Sequence, residues 1–69
     1  MTDIETKAYT IGISTAKKER AIVPAARSVE MLEFMEEQKT GLLNLIKAYD
    51  AGMAYEICRQ AKLELKIDD

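Results

Sequence analysis

The chain has 69 residues, of which 48% are hydrophobic and 32% charged, and its net charge is −2. This balance is typical of a folded domain, and it excludes a disordered chain, a polybasic nucleic-acid binder and a strongly acidic mimic of nucleic acid. One cysteine and no histidine exclude an intrachain disulfide and a histidine-based catalytic site. Because so short a chain builds only a small core, we expect a homodimer.

The sequence contains no targeting or membrane segment that we can identify. Residues 1–7 lack a long apolar run, and no stretch approaches the roughly 18 apolar residues that a membrane helix needs. A single cysteine is typical of a reducing compartment. We therefore expect a cytoplasmic protein, or one in the host cytoplasm if the chain is viral, with no membrane partner.

The first third of the chain is predicted to be a flexible start followed by a β-hairpin. Residues 1–6 are polar and expected to be flexible. From Lys7 to Ser14 larger apolar residues alternate with smaller or polar ones, which indicates a half-buried strand. Residues 20–23 form a second, short strand closed by Pro24. A polar link joins the two, so residues 7–23 are predicted to be a hairpin, with a helix over 14–22 as the alternative.

Two helices are predicted next. Ser28 is a good N-cap for a helix within residues 25–38, and a long helix covers residues 42–62. Gly52 lies inside the long helix, where glycine costs about 1 kcal/mol relative to alanine, so the helix either bends or breaks there. Residues 63–69 form a tail or a short strand, unless the helix continues to about Lys66.

These elements predict a single small α+β domain over residues 1–69, with the hairpin packed on two helices. The alternative is an all-α helical hairpin. The long helix carries an apolar arc roughly 120° wide, as a core-facing helix does. This stripe is predicted to form the core and the dimer contact: Leu42, Leu45, Ile46, Tyr49, Met53 and Ile57.

Two helical faces are candidate partner-binding surfaces, although either is also consistent with a plain solvated face. The acidic face collects glutamates opposite an apolar side, and none of them has a cation at i+4: Glu30, Glu33, Glu36 and Glu37. The aromatic–basic stripe combines residue types that protein interfaces favour and that also contact phosphates and bases: Tyr55, Arg59, Lys62 and Lys66. The predicted hairpin loop adds the cations Lys17, Lys18 and Arg20.

Residues 49–57 read Tyr-Asp-Ala-Gly-Met-Ala-Tyr-Glu-Ile. This segment resembles the turn that follows the first helix in some helix-turn-helix domains. The resemblance implies a turn at Gly52 between two helices, in a module that contacts nucleic acid. Ile57 comes one position early for the usual pattern, and no residue role is carried over.

No motif for catalysis is present. The sequence has no cysteine pair, phosphate loop, dinucleotide fingerprint or serine elbow, so we expect no enzyme, no cofactor and no metal. We predict a small non-catalytic interaction protein that binds another protein as an adaptor or an inhibitor, with the size of a phage or mobile-element accessory protein. The alternatives are a nucleic-acid-binding accessory with a helix-turn-helix-like helical pair and a self-assembling structural subunit.

Overall fold

Residues 1–65 are described by the structure, a computed structural model, and they form three α-helices. Helix α1 spans Asp3–Glu19, α2 spans Val29–Gln38 and α3 spans Leu42–Leu65, with a short 3-10 helix at Ala25–Arg27 before α2. No strand occurs in these residues. The predicted α+β class and the hairpin over residues 7–23 are therefore wrong. The all-helical alternative has the correct class, with three helices rather than two.

A capping box starts α1. The Thr2 hydroxyl oxygen accepts a hydrogen bond from the Glu5 N–H at 3.1 Å, and the Glu5 carboxylate accepts one from the Thr2 N–H at 2.9 Å. The two side chains thus satisfy backbone donors that a helix start leaves unpaired. The Thr-x-x-Glu pattern can be read in the sequence, and it places a helix start within residues 1–6, which we expected to be flexible.

Small residues at helical spacing form the buried face of α1. The buried positions recur three and four residues apart, as one side of a helix requires: Ala8, Ile11, Gly12, Thr15 and Ala16. The strand prediction relied on the alternation of Tyr9, Ile11 and Ile13. Only Ile11 of these three is buried, whereas the other two are half-buried at the edge of the helix contact. The alternation therefore did not reflect a sheet with one buried face.

Helices α1 and α3 lie side by side and run in the same direction. The middle of α1, at Gly12, faces Tyr49 in the middle of α3. Near the C-terminal ends, the Gln60 side-chain amide donates a hydrogen bond to the Ala16 carbonyl oxygen at 3.1 Å. Since two parallel helices need a returning connection, the chain comes back along α2, which runs antiparallel to both.

Two glycines let the backbones of α1 and α3 touch. A Cβ atom on Gly12 would press on the Tyr49 carbonyl oxygen and lie 3.0 Å from the Met53 nitrogen. A Cβ atom on Gly52 would press on the Tyr9 carbonyl oxygen and lie 3.0 Å from the carbonyl carbon of the same residue. Because the obstructing atoms are backbone in both cases, no rotamer change would make room for them.

Helix α3 passes through Gly52 without interruption. Residues 49–57 are helical throughout. The turn implied by the resemblance to helix-turn-helix domains is therefore not formed in this segment. Of the alternatives left open at Gly52, the structure has one continuous helix rather than two. Residues 63–65 also belong to α3 rather than to a strand. The rest of the predicted tail, including Ile67, lies outside the described residues.

Helix α2 is attached to this pair through its side chains and its N-terminal connection. Ser28 accepts a hydrogen bond from the Met31 N–H at 3.2 Å, which confirms the predicted N-cap. The buried side of α2 presents Met31 and Phe34 to the core. The connection before α2 is fixed by the Tyr49 hydroxyl, which donates to the Val23 carbonyl oxygen at 2.6 Å.

Candidate partner-binding surfaces

The acidic face lies exposed along α2. All four of its glutamates are exposed: Glu30, Glu33, Glu36 and Glu37. The ion pairs seen within residues 1–65 are Arg20–Glu64 and Arg59–Glu56, and neither includes a glutamate of α2. Among the described residues, no ion pair joins a cation of α1 to a glutamate of this face. Its negative charge is therefore directed to solvent.

Apolar side chains lie among these carboxylates. Val29 is 69% exposed and Leu32 is 43% exposed. At about 100° per residue, Val29 falls between Glu33 and Glu36 on the helix, and Leu32 falls beside Glu36. The acidic face is thus a mixed surface, with Val29 between glutamates and Leu32 at its edge.

The opposite side of α2 holds this surface in a defined orientation. Met31 and Phe34 are buried, and Met35 packs against the same core. The Lys7 ammonium lies 5.0 Å from the centre of the Phe34 ring, where a cation is attracted by the face of the aromatic system. The apolar side of α2 is anchored in this way, and Glu30, Glu33 and Glu37 line a cleft beside Lys7 of α1 while remaining exposed.

The residues of the predicted aromatic–basic stripe do not form one continuous surface in the structure. The Tyr55 ring packs beside the Tyr9 ring of α1, with centroids 6.4 Å apart and ring planes inclined by 43°. The Arg59 guanidinium is paired with Glu56 on its own helix. Lys62 is exposed on α3, and Lys66 lies outside the described residues. Tyr55 and Arg59 are therefore used partly inside the chain rather than as one continuous contact surface.

Glu56 is a buried carboxylate that the sequence analysis did not assign to any site. It is 1% exposed, and its two oxygens accept bonds from the Arg59 Nε at 3.0 Å and Nη2 at 2.7 Å. The Gln60 Nε2 adds a bond to Glu56 at 3.0 Å. The hydrogen bonds from Arg59, and then that from Gln60, lower the pKa of Glu56 to about 2. The carboxylate is therefore ionised at neutral pH.

The pairing of Glu56 with Arg59 and Gln60 is indicated by their spacing in the sequence. Glu56 interrupts the apolar arc of α3, and Arg59 and Gln60 follow at i+3 and i+4, where their side chains reach back to it. A charged residue at a core position needs such partners, because an unpaired buried charge is strongly unfavourable. The combination thus predicts a buried, paired carboxylate from the sequence.

The apolar stripe that was predicted to form the core and the dimer contact packs inside the single chain. Leu45, Tyr49 and Met53 are buried, and Ile46 and Ile57 pack at the border of the core. Leu42, at the start of α3, is exposed. Since α1 covers the centre of this stripe, a homodimer, which stays a prediction, needs another surface of the molecule.

Within residues 1–65, no group of three or more histidine, cysteine, aspartate or glutamate side chains is arranged to hold a metal ion. None of the helices described is both long enough and apolar enough to cross a membrane.

No model of a known protein family matches the chain, and no curated protein or solved structure matches it. Function must therefore be inferred from the surfaces of this chain.

Proposed function

We propose that this chain is a small non-catalytic protein that binds another protein through the acidic face of α2, as an adaptor or an inhibitor. The observation that carries the proposal is the mixed composition of that face. Four exposed glutamates without ion pairs among the described residues lie next to the exposed side chains of Val29 and Leu32. Interfaces commonly combine an apolar centre with a charged rim.

The chemistry of the face defines the partner. A complementary surface carries lysine or arginine side chains around an apolar patch that covers Val29 and Leu32. The charges accelerate the encounter and select against acidic partners, whereas burial of the apolar side chains provides affinity. Since the carboxylates repel one another, Glu33 and Glu37 in particular, a basic partner also relieves unfavourable charge on α2. We propose the cytoplasm, or the host cytoplasm for a viral chain, as the compartment.

The test is capture of a partner by a tagged chain, with charge reversal as the variable. The variant Glu33→Lys/Glu37→Lys reverses charge on the acidic face. The matched control, Asp3→Lys/Asp50→Lys, changes the net charge equally at exposed positions on α1 and α3. We expect the first variant to lose the partner and the second to retain it, with both variants helical by circular dichroism.

Two results would contradict this function. Equal capture by the two variants would show that the acidic face is not the contact surface. Recovery that disappears after nuclease treatment would show that the captured material is held through nucleic acid rather than by direct protein contact.

A further inference from the structure

A charged groove lies between the C-terminal ends of α1 and α3, away from the acidic face of α2. Its volume is about 350 Å³. The parallel course of the two helices brings Lys17 and Arg20 of α1 close to Arg59 of α3, a proximity that the sequence analysis did not predict. The groove is lined by Lys17, Arg20, Glu56, Arg59, Gln60, Leu63 and Glu64.

On the α3 side, Arg59 is a donor group fixed in position. Buried Glu56 accepts from its Nε and from Nη2, which leaves the other N–H groups of the guanidinium for a second acceptor. Glu56 is itself held by Gln60, whose amide also donates to the carbonyl oxygen of Ala16 on α1. An arginine held in this way loses little freedom when it binds an anion, which favours tight recognition.

On the α1 side, Arg20 forms an exposed ion pair with Glu64, which a bound anion can replace. The two side chains are 64% and 62% exposed. Exposed pairs of this kind contribute little to stability, so a stronger acceptor can take the place of the carboxylate. A phosphate group is such an acceptor, because it carries more charge and more acceptor oxygens than a carboxylate.

We propose that this groove binds a phosphate group, with Lys17 and Arg20 of α1 and Arg59 of α3 as donors. Glu64 acts as an internal competitor that occupies Arg20 when no ligand is bound. The phosphate is carried by a small phosphorylated molecule or by a nucleic-acid strand, since both offer the same oxyanion. This site is separate from the acidic face and does not depend on the function proposed for α2.

The first experiment is a titration of ¹⁵N-labelled protein with pyrophosphate in phosphate-free buffer, followed by NMR. We expect the shifted amide signals to cluster around the groove. The variant Lys17→Gln should weaken binding about five-fold, because a charge-assisted contact is removed. Lys18→Gln is the matched control, since Lys18 is exposed on α1 but does not line the groove. Equal weakening by the two variants, or shifts scattered over all cations, would overturn the proposal.

A second variant tests the competitor without removing a donor. Glu64→Gln releases Arg20 and deletes a negative charge from the groove, so pyrophosphate binding should tighten about three-fold. Glu36→Gln deletes the same charge on α2 and should leave the affinity nearly unchanged. Unchanged or weaker binding by Glu64→Gln would contradict the role assigned to Glu64 and overturn the site.

A short single-stranded oligonucleotide distinguishes the two sources of phosphate. Tighter binding than pyrophosphate, with a steep loss as salt is added and dependence on Lys17, would assign the groove to a nucleic-acid backbone. Pyrophosphate binding without further gain from the oligonucleotide would assign it to a small phosphorylated molecule. If neither probe binds the unmodified protein, no phosphate site exists in the groove.

Discussion

Helices α1 and α3 contact each other through their backbones, whereas α2 is attached to them through its side chains. At the first contact, Gly12 and Gly52 leave no space for even a methyl group. At the second, Met31 and Phe34 reach into the core from a helix whose other side is charged and exposed. The glycines define the relative position of α1 and α3, while α2 remains free to carry a surface for binding.

The two contacts differ in what they tolerate. A backbone contact cannot adjust by a rotamer change, so it is sensitive to the smallest added atom. A side-chain contact adjusts more readily to changes of volume, and its cost depends on how well the cavity closes. The comparison therefore predicts a steep loss of stability at the glycines and a graded loss on α2.

The largest effect is expected from Gly12→Ala. In an ordinary helix this change is stabilising by about 1 kcal/mol, because alanine has the better helix propensity. Here the added Cβ would meet the Tyr49 carbonyl oxygen, and the helices would have to separate. We expect a net loss of about 3 kcal/mol or more, at the upper end of overpacking effects. Urea unfolding followed by circular dichroism measures this loss.

Gly41→Ala provides the control for Gly12→Ala. Gly41 has a φ of 65° but no atom within 4 Å of the position of a Cβ. Its substitution should cost about 1 kcal/mol, from backbone strain alone. Equal losses at the two positions, or a stable Gly12→Ala variant, would show that α1 and α3 are not in backbone contact.

The contact between α1 and α3 also explains which parts of the fold the sequence predicts. The apolar stripe of α3 and the Ser28 cap of α2 follow from spacing and side-chain chemistry, so both could be read directly. The buried face of α1 has only one large apolar residue, Ile11, because small residues fill it. A search for large hydrophobic residues therefore misses this helix, although its spacing and its capping box are present in the sequence.

The two candidate binding surfaces also differ in how far the sequence predicts them. The acidic face is a property of one helix, so the sequence places its glutamates together correctly on the exposed side of α2. The phosphate groove needs residues from two helices, and their proximity depends on a parallel arrangement that no local pattern encodes. Arg59 was predicted as part of an exposed stripe. The i+3 spacing indicates its pair with Glu56, but the place of that pair in a groove beside α1 follows only from the packing of the two helices.

On α2, the largest expected loss comes from Met31→Ala. Met31 is fully buried. Its truncation should cost about 2–3 kcal/mol, within the usual range for a buried methionine. Leu32→Ala, on the exposed side of the same helix, is the control and should change stability by no more than about 0.5 kcal/mol.

Hydrogen exchange tests the same comparison region by region, because the amides of α2 should exchange before those of α1 and α3. Uniform exchange in all three helices would contradict the distinction between the backbone contact of α1 with α3 and the side-chain contact of α2.

A third prediction concerns the carboxylate within the α1–α3 contact. The pKa of Glu56 is lowered to about 2 in the folded chain, from an ordinary value near 4.5. Between about pH 5 and pH 2 the unfolded chain therefore binds more protons at this group than the folded chain, so stability falls as the pH falls. Glu56→Gln should flatten this acid-side decline, as measured by thermal unfolding at a series of pH values.

The control for Glu56→Gln is Glu5→Gln, at the start of α1. Its hydrogen bonds with Thr2 also lower the pKa of Glu5, so it contributes to the same decline from an exposed position. Glu5→Gln should change the acid-side slope less, because the pKa of Glu56 departs further from its ordinary value. A pH profile that is identical in Glu56→Gln and the unmodified chain would show that Glu56 is not paired in solution.

The smallest expected effect is a gain, from Lys39→Gly at the end of α2. Lys39 has a φ of 65°, in the left-handed region, and its N–H donates to the Met35 carbonyl oxygen at 2.9 Å. Glycine removes the strain of a Cβ in this conformation but adds freedom to the unfolded chain, so we expect a net gain of about 0.5 kcal/mol. Lys39→Ala removes the same side chain and keeps the strain, so it should give no gain. Glycine is thus required at position 12 for space and favoured at position 39 for backbone angle, and only the first requirement comes from contact between helices.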